Sequence, residues 1–278
     1  MTKAGKEPEG SQVQAGDFKI HYHEAGSGKP VIMLHGGGPG ATGWSNFAGN
    51  LPAFSKSYRT FLVDMLGFGQ SESVVFDKES GITVRARALR DFLDVHGIER
   101  ASFVGNSMGG AVALAFAVDY PERLDKLVLI GAAGMTKTLT VPQPTEGHRR
   151  LREAMENPTV ETMQALVNAM LYDPSIVSKE MIEERVLSAL NEGHRSAAAR
   201  STAKLRDQAP EFSAVTAKTL IVWGREDRVN PLEIGWLLLR EIRDSRMYIF
   251  KHCGHWAQIE HQEEFNRIAL DFLGAADD

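Results

Sequence analysis

The chain has 278 residues, and its composition is that of an ordinary globular protein. Hydrophobic residues make up 43% and charged residues 24%, which excludes a disordered chain, a fibrous repeat and a coiled coil. The formal net charge is −5, so the overall charge does not favour nucleic acid or an anionic membrane as a partner. The single cysteine, Cys253, excludes an intrachain disulfide framework and a zinc site built from several cysteines.

No apolar stretch approaches the roughly 18 residues that a membrane-spanning helix needs, and Val112–Val118 is one of the longest. The first residues, MTKAGKEPEGSQVQ, are polar and lack the apolar segment of a secretory signal. We therefore expect a cytoplasmic protein without a membrane or nucleic-acid partner.

Short apolar runs alternate with segments of helical length along most of the chain. The runs are rich in β-branched or aromatic residues and mostly continuous, which is typical of strands buried on both faces of a parallel sheet. They cover residues 30–34, 58–64, 101–105, 127–130, 219–223 and 247–250, with helical patterns at 84–96 and 110–120. This order predicts an α/β domain. The alternating segment Asp17–Glu24 predicts an antiparallel strand at the sheet's edge.

The segment 135–210 interrupts this alternation, because it contains no strand pattern and is predicted to be helical at 144–156, 159–171 and 178–189. Prolines in TLTVPQP, at 138–144, suggest a hinge at its start. The predicted domains are a core of residues 1–134 and 211–278 and a helical cap of residues 135–210. Methionines concentrate in the cap, and they either fill its core or line an adaptable apolar pocket: Met135, Met155, Met163, Met170 and Met181.

Ser107 is the predicted nucleophile. It lies in a G-x-S-x-G pattern at 105–109, between a predicted buried strand and an alanine-rich helix. Such a sharp strand-to-helix turn exposes the serine, and the small neighbours let the helix pack against the strand. The structural alternative is an ordinary tight turn.

A serine hydroxyl needs a positioned base, and the chain order with this kind of turn is serine, acid, histidine. His255 follows the last predicted strand and is the preferred base, with His252 as a minor alternative; His261 is expected on the following helix. Asp227 is the preferred acid, in the loop after the preceding strand, and Glu226 is the alternative. The acid would fix the imidazole tautomer and stabilise the imidazolium.

The run HGGGPG at 35–40 follows a predicted strand and lacks the ending of a phosphate-binding P-loop. It fits a loop that donates a backbone N–H to a developing oxyanion. Gly37 is the preferred donor, with Gly36 and Gly38 close behind, and the second donor is the N–H of Met108. Asp64, after the next strand, is expected to cap a tight loop.

Several segments together resemble the meta-cleavage product hydrolases, carbon–carbon bond hydrolases of the α/β-hydrolase fold. They are HGGGPGA at 35–41, GWSNF at 43–47, GNSMGG at 105–110, WGREDRVNP at 223–231 and CGHWAQIEH at 253–261. The resemblance extends from about residue 16 to residue 274. It implies an α/β-hydrolase core, a mostly parallel sheet flanked by helices, with an inserted helical cap over the active site.

The resemblance also implies the substrate, a 2-hydroxy-6-oxohexa-2,4-dienoate formed by ring fission of a catechol. Water would split it into 2-hydroxypenta-2,4-dienoate and a carboxylic acid, without a metal or organic cofactor. The residues matching family positions at the acid end of the substrate are Asn46, Asn106, Arg185 and Trp256, with Gly36 and Gly38 beside them. Asn46 could instead cap a loop, Trp256 could serve packing, and Arg185 could be a solvated helix charge.

Val229 and Asn230 depart from the family pattern, which often has Phe-Val there. If they face the pocket, the site is wider or more polar at the C6 end of the substrate. The family commonly forms dimers or larger assemblies, so we expect a homo-oligomer. The alternatives are a carboxylesterase or lactonase with the same triad, and a binding protein with vestigial chemistry.

Overall fold

The computed structural model describes residues 9–133, 142–202 and 211–276. The strands are β1 (Ser11–Ala15), β2 (Phe18–Ala25), β3 (Pro30–Leu34), β4 (Arg59–Val63), β5 (Ala101–Asn106), β6 (Leu124–Ile130), β7 (Lys218–Gly224) and β8 (Ser245–Phe250). The helices are α1 (Gly43–Phe47), α2 (Leu51–Phe54), α3 (Gly81–Val95), α4 (Met108–Asp119), α5 (Glu146–Glu156), α6 (Val160–Met170), α7 (Lys179–Ala189), α8 (Glu192–Arg200), α9 (Leu232–Glu241), α10 (Ala257–Glu260) and α11 (Gln262–Gly274).

The strands form one sheet in the order β1-β2-β4-β3-β5-β6-β7-β8. β1 pairs antiparallel with β2, and β2 pairs antiparallel with β4. All pairs from β4 to β8 are parallel, which confirms the predicted mostly parallel α/β sheet. The prediction that Asp17–Glu24 forms the edge was wrong, because the polar segment Ser11–Ala15 adds β1 outside it. A largely exposed edge strand carries little hydrophobic periodicity, so its sequence resembles a loop.

The parallel strands β3 to β7 are buried on both faces, as their largely apolar sequences predict, whereas the edge strand β8 is mostly only partly buried. Along β3, Ile32 and Leu34 pack in a cluster with residues of α3 and α4. Val31 and Met33 point to the opposite face and pack with residues of α2 and α11. All four side chains are fully buried. The two helical layers therefore fix the sheet from both sides, and the carboxyl ends of its parallel strands meet along one edge.

Helices α5–α8 lie between β6 and β7 in the chain, and the predicted helices at 144–156, 159–171 and 178–189 correspond to α5, α6 and α7. Helix α8 was not predicted from the sequence. The predicted limits at 134/135 and 210/211, the start of the predicted hinge (138–141) and Met135 lie outside the described residues, so the predicted cap boundaries stay predictions. Within the described ranges, no helix is long and apolar enough to cross a membrane.

These inserted helices have their own apolar cluster, and two residues of the core belong to it. Met163 and Met170 are buried there together with Val229 and Trp256. Met155, in contrast, is 54% exposed, and Met181 is partly exposed. The core explanation therefore holds for Met163, whereas Met170 Cε also lies 3.7 Å from the position of a methyl group on Gly38. The cluster attaches the insertion to the loops after β7 and β8.

Candidate active site

Ser107 occupies the turn between β5 and α4 with φ 53° and ψ −116°. A residue other than glycine seldom adopts a positive φ, and such strain concentrates at functional sites. Backbone hydrogen bonds hold the turn: Ser107 N–H donates to the Ile130 carbonyl at 2.9 Å, and Ala133 N–H donates to the Ser107 carbonyl at 2.9 Å. The predicted strand–serine–helix turn is present, and it presents Ser107 at the carboxyl end of the sheet.

The glycines of the G-x-S-x-G pattern allow the backbones on each side of this turn to approach closely. A methyl group on Gly105 would lie 2.6 Å from the Gly109 carbonyl oxygen. A methyl group on Gly109 would overlap the backbone of Leu34 and His35. Helix α4 thus packs directly on β3 and β5, and this contact sets the position of Ser107.

His255 and Asp227 form a buried pair at the same edge of the sheet. His255 Nδ1 lies 2.8 Å from Asp227 Oδ2, and both side chains are about 1% exposed. Asp227 Oδ1 accepts two backbone N–H groups, from Val229 at 2.8 Å and from Asn230 at 3.0 Å. The carboxylate is therefore held in place and can fix the tautomer that leaves His255 Nε2 free to act as a base.

A glycine brings this pair to the end of β6. A methyl group on Gly131, at φ 48°, would lie 3.0 Å from His255 Nδ1 and 3.2 Å from Asp227 Oδ2. Gly131 N–H donates to the Val222 carbonyl of β7 at 3.0 Å. Ser107 N–H donates to the carbonyl of Ile130, the last residue of β6 and the neighbour of Gly131. Ser107 and the Asp227–His255 pair therefore both lie at the carboxyl end of β6.

The alternative residues are engaged elsewhere. His252 is exposed and stacks on Tyr172, with 5.1 Å between ring centroids. His261 lies between α10 and α11, and its Nε2 donates to the His252 carbonyl at 3.1 Å. Glu226 accepts the Cys253 N–H at 3.0 Å and binds Arg225. Burial raises the pKa of Glu226, but hydrogen bonds from Cys253 and Arg225 outweigh it and lower the pKa overall.

The glycine-rich loop after β3 lies directly against the nucleophile turn. A methyl group on Gly36 would lie 3.4 Å from Ser107 Cβ, and one on Gly37 would lie 3.2 Å from Met108 Cβ. In the part of the chain that the structure describes, no acceptor binds the backbone N–H of Gly37 or of Met108. The N–H of Gly36 is engaged, because it donates to Asn46 Oδ1 at 3.3 Å. The two preferred donors are therefore neighbours, and both are available.

Two buried side chains hold this loop from beneath. Asn46, on α1, is 2% exposed and accepts the Gly36 N–H, so it supports the loop. The Met65 N–H donates to His35 Nε2 at 3.0 Å, so Nδ1 carries the proton that binds the Gly36 carbonyl at 2.8 Å. Burial lowers the pKa of His35 to about 4. His35 is thus a neutral imidazole of fixed tautomer.

Asp64 caps the neighbouring loops, as expected. Its Oδ1 accepts the Gly43 N–H at 2.8 Å, and its Oδ2 accepts the Gln70 N–H at 3.0 Å and lies 2.8 Å from His21 Nδ1. Burial raises the pKa of Asp64, but the hydrogen bond to His21 and its other partners outweigh this and lower the pKa overall. Asp64 therefore fixes the start of α1 and belongs to the support of the site.

Arg185 reaches the site from α7, where it is 7% exposed. Its guanidinium carbon lies 5.1 Å from the ring centroid of Trp256. A methyl group on Gly38 would lie 2.9 Å from the terminal nitrogen Nη2. No carboxylate of the described residues pairs with Arg185, and its buried Nε has no hydrogen-bond partner there. Burial lowers its pKa to about 10, so the group remains charged at neutral pH.

Asn106, next to the nucleophile, has a second unpartnered polar atom. Its Nδ2 donates to the Ile130 carbonyl at 3.1 Å and to the His255 carbonyl at 3.3 Å. Its Oδ1 is buried without a partner among the described residues, near Gly36. Buried polar atoms are usually satisfied. Arg185 Nε, a donor, and Asn106 Oδ1, an acceptor, therefore each keep an unused hydrogen-bonding position among the described residues.

Val229 and Asn230 lie behind the Asp227–His255 pair. Asn230 Nδ2 donates to the Gly131 carbonyl at 2.7 Å. Val229 is 3% exposed and packs among the inserted helices. The amide of Asn230 is therefore used within the protein, which removes the reason to expect a more polar pocket from this residue.

Glu260 and His148 were not predicted from the sequence to have a particular role. Glu260 accepts the N–H groups of Gly254 at 2.8 Å and of Tyr172 at 2.7 Å, so it joins the His255 loop to the end of α6. Burial raises its pKa. The only sequence feature that could have indicated Glu260 is its place in the segment CGHWAQIEH at 253–261, which also contains His255. His148 was part of a predicted helix, and only the structure shows that its Nδ1 lies 3.0 Å from Thr145 Oγ1. Within the described residues, no group of three or more His, Cys, Asp or Glu side chains is placed to hold a metal ion.

The sequence of residues 29–262 matches the family described as alpha/beta hydrolase fold. The chain is 45% identical over 269 residues to a 2-hydroxy-6-oxo-6-phenylhexa-2,4-dienoate hydrolase of Comamonas testosteroni, covering 95% of this chain and 94% of that protein. It is 43% identical to a 2-hydroxy-6-oxononadienedioate/2-hydroxy-6-oxononatrienedioate hydrolase of the same species, covering 92% of each. The chain belongs to the meta-cleavage product hydrolases of the α/β-hydrolase family.

A solved structure agrees with this assignment of the family. The fold of this meta-cleavage product hydrolase superposes on that of a meta-cleavage product hydrolase from Pseudomonas fluorescens IP01, solved with acetates, with a TM-score of 0.87. The two are 32% identical, and the match covers 96% of this chain and 98% of the other. The agreement includes the inserted helices as well as the sheet, because nearly the whole chain is covered.

Proposed function

We propose that this hydrolase cleaves the C5–C6 bond of a 2-hydroxy-6-oxohexa-2,4-dienoate, giving 2-hydroxypenta-2,4-dienoate and a carboxylic acid. The observation that carries the proposal is the buried guanidinium of Arg185 beside the glycine-rich loop, since it pairs with no carboxylate of the described residues and its Nε has no hydrogen-bond partner among them. Burying a charge without a partner is costly. A substrate carboxylate would remove that cost, which an ordinary neutral ester would not. The substrates named for the relatives, which carry such a carboxylate, support this choice.

The first step moves a proton within the substrate, because a plain carbon–carbon bond has no good leaving group. Transfer of the 2-hydroxyl proton to C5, assisted by His255, gives the 2,6-dioxo form. The electrons of the C5–C6 bond can then enter a conjugated enolate that ends at the 2-oxo oxygen. Arg185 and Trp256 would hold the carboxylate and 2-oxo oxygens, and Asn106 Oδ1, which only accepts, would bind the 2-hydroxyl group before its proton is transferred.

Ser107 then attacks C6, and His255 takes the hydroxyl proton. Asp227 would orient the imidazole through Nδ1 and stabilise the imidazolium without accepting its proton. The backbone N–H groups of Gly37 and Met108 would bind the oxyanion that forms on the C6 oxygen. A donor of this kind stabilises the transition state by roughly 2.7–4 kcal/mol.

Breaking the C5–C6 bond leaves the acyl group on Ser107 and releases the dienolate, which takes the proton from the His255 imidazolium and becomes the 2-hydroxydienoate. The neutral His255 then takes a proton from water as the water attacks the acyl carbon, and it passes this proton to Ser107 Oγ as the acid departs. One water molecule is consumed, and no electrons are gained or lost. The residues of the site thus suffice for the chemistry.

We further propose that residues 135–210 act as a cap, and that the protein is a cytoplasmic homodimer or larger homo-oligomer. The packing of Met163 and Met170 around Val229 and Trp256 supports the cap. Exposed apolar side chains on α9 and β8 support self-association, for example Trp236 and Ile249 at 53% and 42% exposure. Light scattering on the purified protein would test the oligomeric state, and a monomer at micromolar concentration would contradict it.

The decisive experiment compares two substrate classes on the purified protein. Alkyl- and aryl-substituted 2-hydroxy-6-oxohexa-2,4-dienoates are followed by loss of their visible absorbance, and p-nitrophenyl acetate is measured in parallel. We expect much faster dienoate cleavage, and we expect Ser107→Ala to bind the dienoate without releasing product. Strong ester turnover without dienoate loss would favour a carboxylesterase and overturn the proposal.

A further inference from the structure

The base loop, residues 253–256, carries His255 and lies between the main chains of an inserted helix and of the sheet. A methyl group on Gly254 would overlap the Met170 carbonyl oxygen at the end of α6. A methyl group on Gly224, at the end of β7, would overlap the Gly254 carbonyl oxygen. The position of the base loop is therefore set by close main-chain contacts on two sides, and one of these sides belongs to the insertion.

Glu260 binds both partners of the contact between the base loop and α6. Its Oε1 accepts the N–H of Gly254 at 2.8 Å, and its Oε2 accepts the N–H of Tyr172 at 2.7 Å. Gly254 directly precedes His255, and Tyr172 is the second residue after α6. Between these two bonds, the His255 N–H donates to the Met170 carbonyl at 2.6 Å. The carboxylate thus joins the base loop to the inserted helices on either side of the His255 main chain.

The carboxylate of Glu260 uses both of its oxygens as acceptors from backbone N–H groups. An ionised carboxylate satisfies this pattern, whereas the amide of a glutamine does not, because its nitrogen would face one of the two N–H donors. Among the described residues, no lysine or arginine pairs with Glu260. Its partly buried charge is therefore stabilised by the backbone of the two segments that it joins.

We propose that Glu260 is a positioning residue for the reaction, because it holds the base loop against the end of α6 and so keeps His255 in place beside Asp227. His255 Nδ1 lies 2.8 Å from Asp227 Oδ2, and a hydrogen bond of this length weakens when either partner moves. Glu260 acts through His255 and makes no contact with the reacting atoms. The inference rests on the proposed function in taking His255 as the base.

The test compares Glu260→Gln, which keeps the length and one acceptor, with Glu260→Met, which keeps the length and no acceptor. We expect kcat to fall in that order, by up to about 100-fold in Glu260→Met, the cost of a misplaced catalytic group. The fold loss should be equal for a 6-phenyl dienoate and for p-nitrophenyl acetate, because both reactions need the base. Each variant is measured at a temperature at which circular dichroism shows it folded.

A second measurement separates the base from the substrate-binding groups. In a Ser107→Ala background, the Kd for the 6-phenyl dienoate should be the same with Glu260 and with Glu260→Gln, because binding does not need the base. Glu263→Gln is the matched control, since Glu263 is exposed on α11 and the change removes the same charge three residues away. It should keep the wild-type kcat on both substrates.

A wild-type kcat in Glu260→Gln and Glu260→Met would overturn the role of Glu260, and if Glu260→Met does not fold, a wild-type kcat in Glu260→Gln alone does so. A loss confined to the dienoate, or a weaker Kd, would also overturn it, because the effect would then lie at Arg185 and Trp256. Each of these results leaves the proposed function intact. If the wild type cleaves only the ester, the proposed function fails while the ester kinetics still test Glu260. If it cleaves neither substrate, both fail.

Discussion

The guanidinium group of Arg185 lies over the indole of Trp256, 5.1 Å from the ring centroid. Arg185 comes from an inserted helix, whereas Trp256 directly follows His255, so the contact links the insertion to the loop of the base. A cation on an aromatic face keeps part of its stabilisation when water is excluded. The pair can therefore hold a positive charge in a buried place while its N–H groups remain available to an anion.

Arg185→Gln should lower kcat/KM for dienoates by about 10- to 150-fold, because a hydrogen bond to a charged group contributes about 1.5–3 kcal/mol. Hydrolysis of p-nitrophenyl acetate, which has no carboxylate, should fall much less. Steady-state kinetics on both substrates checks this. Arg149→Gln is the control, since Arg149 is exposed and donates to the Pro144 carbonyl. An equal loss on both substrates would contradict an anion-binding role.

Asp227→Asn should reduce kcat about 10⁴-fold with little change in substrate binding, because the amide cannot hold the same imidazole tautomer. Its Oδ1 can still accept the N–H groups of Val229 and Asn230, so we expect the fold to persist. Glu226→Gln tests the neighbouring carboxylate and should stay within a few-fold of the wild type. Single-turnover kinetics with circular dichroism of each variant makes the comparison, and a larger loss in Glu226→Gln would reverse the assignment of the acid.

Asn46 should act by holding the glycine-rich loop, since its Oδ1 accepts the Gly36 N–H at 3.3 Å. Asn46→Leu removes the acceptor and should lower kcat by up to about 100-fold, the cost of a misplaced catalytic group. Asn46→Asp keeps an acceptor and should recover most of kcat. Measuring kcat and KM separately decides the matter. If Asn46 instead bound the substrate carboxylate directly, Asn46→Asp would raise KM strongly through charge repulsion.

His35 should make the protein less stable in mild acid. Burial lowers its pKa to about 4, against 6.5 in an unfolded chain. The unfolded state therefore binds the extra proton between these values, and the stabilisation present above pH 6.5 is lost as the pH falls towards 4. From pH 7 to pH 5, the free energy of unfolding should fall by about 2 kcal/mol from this residue. Urea titrations at both pH values measure it.

His35→Gln is the test of that assignment, because glutamine keeps a donor and an acceptor but does not titrate. The variant should be less stable at pH 7 and should show a smaller change between pH 7 and pH 5. Asp64, whose pKa is lowered, contributes only at lower pH and does not interfere in this window. An unchanged pH dependence in the variant would place the titrating group elsewhere.

The parallel strands and the nucleophile turn could be predicted because their signals are local. β5 is buried along its whole length, and Ser107 lies between glycines that the close packing of α4 on β3 requires. The buried pair of Asp227 and His255 could be placed from the order of the strands alone, although the chain does not by itself give their 2.8 Å separation. Local pattern and topology together therefore locate the chemistry.

Other features could not be predicted because they depend on packing between distant segments. β1 is a polar edge strand, and α8 is a short helix with a weak apolar face. The orientation of His148 depends on hydrogen bonds from Thr145 to a loop more than 80 residues away. No periodicity in α5 distinguishes a histidine that bonds within its helix cap from one that faces solvent.

The last turn of α6 has an unusual set of partners. The Met170 carbonyl accepts the N–H of His255 at 2.6 Å, and the Leu171 carbonyl accepts Arg228 Nη2 at 3.0 Å. The last backbone carbonyls of a helix have no partner within the helix and usually bind water. Here they are bound by the loops that carry His255 and Asp227. We expect cooperative melting as a consequence: the insertion and the sheet share one thermal transition, and activity disappears with it instead of in an earlier, separate step.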